Sequence, residues 1–125
     1  MLNEKLLAIL SHPADGAISM VTNGEDGPHL VNTWNSYITV TPEDKLLIPA
    51  AGYNKTEKNL ASKNELLLSI ASREIDGYRG KGTGFIVTGS TRFIKSGEAF
   101  DQMKAKFSWI RAVLEVTVTS AKQML

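Results

Sequence analysis

The chain reads as a mainly β protein: a six-stranded antiparallel barrel with three short helices beside or between the strands. Two observations predict it. Strand-like runs follow one another across dense turn signals, as hairpins do. Strands and helices also fail to alternate regularly, which argues against a doubly wound parallel sheet. At 125 residues with 42% hydrophobic composition, the chain is expected to be a single domain over residues 1–125.

Each element has its own signal. Leu2, Leu6, Ile9 and Leu10 recur at helical spacing, so residues 2–11 should form an amphipathic helix that His12-Pro13 ends. Asp15-Gly16 is a turn. Residues 17–22 make a first strand, and the run Asn23-Gly24-Glu25-Asp26-Gly27-Pro28 turns the chain into a second, from His29 to about Val40. This second strand has polar residues on both faces around Trp34, where a structural strand would keep one face apolar. Such a break marks a candidate site.

Residues 45–50 give a third strand, followed by a helix opened by Lys55-Thr56. Glu65 to Ala71 is a largely buried strand. Four glycines between Gly77 and Gly84 predict a loop, and Phe85 to Ile94 the next strand. Phe100, Met103 and Phe107 line one side of a short helix. Apolar residues alternate with polar ones from Ile110 to Thr119, a half-buried last strand.

Composition narrows the function. The net charge of +1, from 14 basic and 13 acidic residues, gives no basic excess for a nucleic-acid backbone. The absence of cysteine excludes disulfides, thiolate nucleophiles and cysteine-ligated clusters. The N-terminal apolar run is short and carries Glu4, unlike a signal peptide, and no segment is long enough to span a membrane. A cytoplasmic protein with neither a nucleic acid nor a membrane as partner is expected. His12 and His29 form no short-spaced ligand pair, so no metal site is expected. Gly80-Lys81-Gly82-Thr83-Gly84 lacks both the dinucleotide and the Walker spacing. No catalytic residues are assigned, because neither a nucleophile–base arrangement nor a carboxylate pair stands out.

The stretch from Ile48 to Leu60 is the most informative. A strand runs into Pro49-Ala50-Ala51-Gly52, where small side chains let backbone approach a flat ligand. A helix start then follows, whose free N–H groups and dipole attract an anion. Lys55 adds a charge and Thr56 a hydroxyl donor. The plainer alternative is that Thr56 caps the helix and Lys55 is solvated. Trp34 and Trp109 could each be core residues or flank a planar ring. With so few acid–base side chains available, a cofactor would have to supply any demanding chemistry.

The run Gly24-Glu25-Asp26-Gly27-Pro28-His29-Leu30-Val31-Asn32-Thr33-Trp34-Asn35-Ser36-Tyr37 closely resembles the small FMN-binding proteins of sulfate-reducing bacteria. Lys55-Thr56-Glu57, Gly82-Thr83-Gly84-Phe85 and Phe107-x-Trp109-x-Arg111-Ala112 are similar too, in the same order, so the resemblance spans essentially the whole chain. The wider group is the FMN-binding split barrel, which includes pyridoxamine 5'-phosphate oxidases and flavin reductases. The resemblance implies a Greek-key split barrel, a homodimer and one FMN per subunit near the dimer interface. By position, Lys55 and Thr56 would hold the phosphate. Asn32, Thr33 and Trp34 would line the cofactor. Pro49, Ala51 and Gly52 would face the ring, and Trp109 and Leu125 would come from the partner subunit. Ala50-Ala51-Gly52 stands where the family is expected to have Val-Gly-Gly. Asp15 stands where the family places a glutamate near the flavin, and is read here first as a turn residue.

Three functions follow. The first is an FMN-dependent electron-transfer protein, with an unidentified redox partner. Second is an FMN oxidoreductase of the flavin or nitro reductase kind using NAD(P)H; the chain lacks the basic C-terminal segment of the pyridoxamine-phosphate oxidases. The third is a dimeric interaction module with a vestigial cofactor site.

Overall fold

In the computed structural model, which describes residues 2–125, Asn3 caps the first helix, α1 (Glu4–Ser11). Its Oδ1 accepts from the Lys5 N–H at 2.8 Å, satisfying a donor the helix start would leave orphaned. Leu6, Ile9 and Leu10 form the buried stripe that the periodicity predicts. Strands β1 (Ala17–Gly24) and β2 (Gly27–Trp34) pair antiparallel up to Gly24 opposite Gly27, leaving Glu25-Asp26 as the hairpin tip.

The expected strand from His29 to Val40 is not continuous. It stops at Trp34, passes through a 3₁₀ turn (Asn35–Tyr37), and resumes as β3 (Thr39–Val40), so the sheet has seven strands rather than six. The physical reason is Asn35. Its buried amide donates to the carbonyls of Ile9 (3.3 Å) and His12 (3.2 Å) and accepts from the Gly16 N–H. Asp15 supports the same turn, accepting from the Ser36 N–H at 3.1 Å and the Ser36 hydroxyl at 2.8 Å. Part of the polar break around Trp34 is therefore a structural corner, and Asp15 is a turn residue.

Next come β4 (Lys45–Ala50), α2 (Asn54–Ser62), β5 (Leu66–Gly77), β6 (Gly80–Ile94), α3 (Glu98–Lys106) and β7 (Ala112–Gln123). The region from Gly77 to Gly84 is not the loop expected. Tyr78-Arg79 alone turns between β5 and β6, and Gly80 and Gly82 continue the strand at φ +117° and +106°. Glycine tolerates these angles without cost to a side chain.

The strand order is β2-β1-β5-β6-β7-β4-β3, antiparallel throughout. Its two edges, β2 and β3, are consecutive in sequence. Laid flat, seven strands would hold those edges about 29 Å apart. Five residues from Trp34 to Thr39 reach only about 17 Å. The sheet must curl until its edges lie near one another without pairing, which is a barrel with a split.

Inside it, Leu6, Ile18, Met20, Ile48, Leu68, Phe85 and Val116 belong to one buried cluster. A second, smaller cluster joins Leu47, Met103, Ile110 and Val113, with Phe100 and Phe107 packed against it, so the aromatic stripe of α3 is core.

Candidate functional site

The site is built where α2 begins beside β2. Tyr53 occupies the N-cap position in the left-handed conformation (φ 60°, ψ 32°), and no side chain caps the helix. Thr56 is therefore not the cap; it sits in the first turn, fully buried. The N–H groups of Asn54, Lys55 and Thr56 have no hydrogen-bond acceptor among the described residues. Tyr53 ties this turn to the sheet, its phenol donating to the carbonyl of Asn32. Burial pushes that phenol's pKa up, so it stays a neutral donor.

Along β2, burial alternates: Asn32 and Trp34 point outward while Thr33 points in. Trp34 is 45% exposed, unusual for so large an apolar ring. Both Thr33 and Thr56 bury a hydroxyl oxygen that makes no hydrogen bond among the described residues, although the Tyr53 phenol lies beside that of Thr33. An unpartnered buried hydroxyl costs about 1–3 kcal/mol, so two within one local group call for an explanation.

Lys55 reaches across to the β1–β2 hairpin tip, its Nζ 2.7 Å from Asp26 Oδ2. The ammonium holds the Asp26 carboxyl below its usual range. The two flank a cleft of about 870 Å³ that Lys58, Asn59 and Lys63 also line. Asn59 packs so tightly against Gly24 that a Cβ there would lie 2.5 Å from its Oδ1.

The connection from β4 to α2 carries the remaining predicted residues. Pro49 is buried in β4 opposite Val113, whereas Ala51 and Gly52 are exposed. Arg111 supports them from below. Its Nε and Nη2 both donate to the Gly52 carbonyl, at 3.0 and 2.7 Å, and its Nη1 lies 2.8 Å from Glu57 Oε1. Lys95 bonds the other Glu57 oxygen at 3.0 Å, and the two cations hold that carboxyl below its usual range, Lys95 most strongly.

One chain thus brings Asn32 and Thr33 to the start of α2, with Trp34 on the outer face that Asn32 shares and Ala51-Gly52 leading directly into that helix. It does not bring Trp109 or Leu125 there. Trp109, 47% exposed, packs with Tyr37 and Phe107 at ring-centroid distances of 5.7 and 5.6 Å. Leu125 lies at the β5–β6 hairpin, its carbonyl accepting from Thr83 (2.9 Å) and Gln123 (3.0 Å). A separate cleft of about 800 Å³ is lined there by Arg73, Tyr78, Arg79 and Lys81. Among the described residues no group of His, Asp and Glu is placed to hold a metal ion, and no helix is long and apolar enough to cross a membrane.

No protein-family model matches the chain. It is, however, 45% identical over 111 residues to the FMN-binding protein of Nitratidesulfovibrio vulgaris (strain Miyazaki F), covering 89% of this chain and 90% of that one. This chain belongs to the FMN-binding protein family. Solved structures share the fold at low identity. An FMN-binding protein from Syntrophomonas wolfei superposes with a TM-score of 0.72 at 14% identity, over 98% of this chain and 85% of that one. A putative pyridoxamine 5'-phosphate oxidase from Lactobacillus delbrueckii gives 0.71 at 14%, over 97% and 93%. The fold is that of the split barrels of this group, and FMN is the cofactor of the family.

The residues present fit such a cofactor. Two orphaned hydroxyls, a helix start with open N–H groups, a lysine and an exposed indole provide partners for a phosphate and a flat ring. Sequence reasoning gave no role to Tyr53 or Arg111. A lone arginine just before the apolar run of β7 was the available signal for the second. Nothing in sequence marks Tyr53 as left-handed.

Proposed function

We propose that this chain binds FMN at the junction of β2 and α2 and works as an electron carrier. The observation that carries the reading is Thr56. Its hydroxyl is buried without a partner in the first turn of α2, next to Lys55 and beside open N–H groups. A phosphate accepts from all three kinds of donor. Lys55 and Thr56 hold that phosphate in this reading, Asn32, Thr33 and Trp34 line the flavin, and Pro49, Ala51 and Gly52 bound the ring's other side. A vestigial site would have no reason to keep two hydroxyls orphaned.

FMN, when bound, supplies the electron chemistry. The protein's residues bind, orient and shield it. The phenol of Tyr53 is already committed as a donor to the Asn32 carbonyl. That supports electron transfer over turnover of a substrate. Exposure of Leu30, Trp34, Ile86, Trp109 and Leu125 supports a homodimer in which Trp109 and Leu125 reach the cofactor of the second copy.

The test is the visible absorption spectrum of the purified protein beside that of Lys55→Ala. Bound flavin is expected in the first, and affinity lower by about 2 kcal/mol in the second, the scale of a lost hydrogen bond to a charged group. A wild type that stays colourless after FMN is added overturns the reading. Rapid bleaching by NADH or NADPH would instead assign an oxidoreductase.

A further inference from the structure

We infer that Arg111 is the positioning residue of the anion site: by pinning the Gly52 carbonyl it holds Tyr53 left-handed, and the left-handed Tyr53 aims consecutive backbone N–H groups at one point. This rests on the phosphate reading above and adds the device that builds the site.

Tyr53 at φ 60° and ψ 32° is followed by Asn54 in right-handed helical conformation. A left-handed residue followed by a right-handed one makes successive N–H groups converge into a small anion-binding nest. The N–H groups of Tyr53, Asn54 and Lys55 have no acceptor among the described residues. The buried hydroxyl of Thr56 is orphaned one residue further on.

This conformation is unfavourable for tyrosine, because Cβ crowds the following carbonyl. Strain would be relieved by a flip of the Gly52–Tyr53 peptide, which rotates ψ of Gly52 and φ of Tyr53 together. Two N–H groups of one guanidinium grip the carbonyl of that peptide, at 3.0 and 2.7 Å. Arg111 is itself fixed on several sides. Glu57 takes Nη1 at 2.8 Å, the Phe93 ring lies 5.9 Å from its central carbon, and its own N–H donates to the Ala50 carbonyl at 2.9 Å. With the carbonyl held toward Arg111, the trans peptide directs the Tyr53 N–H the opposite way. Tyr53 contributes a second restraint through its phenol on Asn32. A lysine at position 111 would keep the charge but lose the planar fork.

The experiment compares dissociation constants for FMN and riboflavin, by quenching of flavin emission, in wild type, Arg111→Lys, and Arg111→Lys with Tyr53→Gly. The ratio of the two constants cancels any change in the folded fraction, so it stays informative in a variant that is partly unfolded. Riboflavin lacks the phosphate, so the ratio isolates the anion site. Arg111→Lys should lower the preference for FMN about tenfold, the scale of one charge-assisted hydrogen bond. Adding Tyr53→Gly should restore part of it, because glycine adopts the left-handed conformation unaided. A purely structural arginine would not be rescued by that glycine. An unchanged ratio in Arg111→Lys, or equal losses for both flavins, overturns the inference. A double variant no better than the single one also overturns it. A wild type that binds neither flavin would instead defeat the cofactor reading itself.

Discussion

Four threonines in this molecule are almost wholly buried, and they divide into two pairs. Thr22 and Thr83 are satisfied: Thr22 accepts from the Asn59 amide at 3.1 Å, while Thr83 donates to the Leu125 carbonyl at 2.9 Å and accepts from Gln123 at 3.1 Å. Thr33 and Thr56 make no hydrogen bond among the described residues. Three lie in strands and Thr56 in the first turn of α2, but all four are equally buried, so burial does not explain the difference. The satisfied pair holds elements together, α2 to β1 and the last residues to β6. The unsatisfied pair flanks the place where Tyr53 bonds Asn32. A fold selected for stability alone would gain by valine at both of those positions. Retained hydroxyls there support a ligand that completes them.

Exchanging hydroxyl for methyl at one member of each pair tests this most strongly. Thr83→Val should lower folding stability by about 1 kcal/mol, because the Leu125 carbonyl and the Gln123 amide lose a partner. Its FMN affinity should fall less than that of Thr56→Val, because Thr83 bears on the cofactor only through Leu125. Thr56→Val should show the reverse. Its flavin-free stability stays level or rises, and its FMN affinity falls by roughly 2 kcal/mol, as expected for a lost bond to an anion. Denaturant midpoints and FMN titrations of both variants decide it. Should Thr56→Val unfold as readily as Thr83→Val while binding FMN normally, the division into two pairs is wrong.

A smaller effect should come from acid. Arg111 and Lys95 hold Glu57 below the ordinary glutamate value of 4.5. A carboxyl depressed in the folded state contributes stability that is fully present above 4.5 and is lost as pH falls through its lowered value. Stability measured from pH 6 down to about 3 should therefore decline, and Glu57→Gln should make that decline shallower. An identical acid profile in the variant would show that the pairs around Glu57 add nothing to folding. Because they also steady Arg111, the FMN-to-riboflavin preference should weaken over the same range.

Much of this was legible in the sequence, unevenly. Alternation along β1 and β7 and the glycine-rich turns carried the antiparallel fold, since burial on one face leaves a period-two trace. Lys55 and Thr56 were legible because a helix start followed small residues. The strand break at Asn35 was visible as polarity but not as a corner. Three contacts from α1 and its exit decide it, and no local pattern encodes their distance in space. The glycines at 77, 80, 82 and 84 misled for a similar reason, because the cross-strand pairing of β5 with β6 overrode a loop-like composition. The left-handed Tyr53 left no trace in the sequence, and Arg111 left only that of a lone arginine before the apolar run of β7. Their roles come from one peptide's orientation and from a residue some sixty positions away.

The smallest expected effect concerns Asp26, and it bears on what the satisfied and unsatisfied groups share. Lys55 is paired, but with a carboxylate on an exposed hairpin tip. A phosphate that takes Lys55 must displace Asp26 or share the ammonium with it, and a dianion competes well against a single charge. Exposed pairs of this kind contribute little, so Asp26→Asn should raise FMN affinity only about threefold at low ionic strength. Its affinity for riboflavin should not move. The gain should vanish near 1 M salt, where the screening length shrinks to about 3 Å. An equal gain for riboflavin would mean that Asp26 acts on the flavin pocket as a whole. A loss of FMN affinity would mean that the carboxylate orients Lys55 for the phosphate. In that case Asp26 belongs with Thr22 and Thr83, whose contacts build the structure, and not with the groups left open for a ligand.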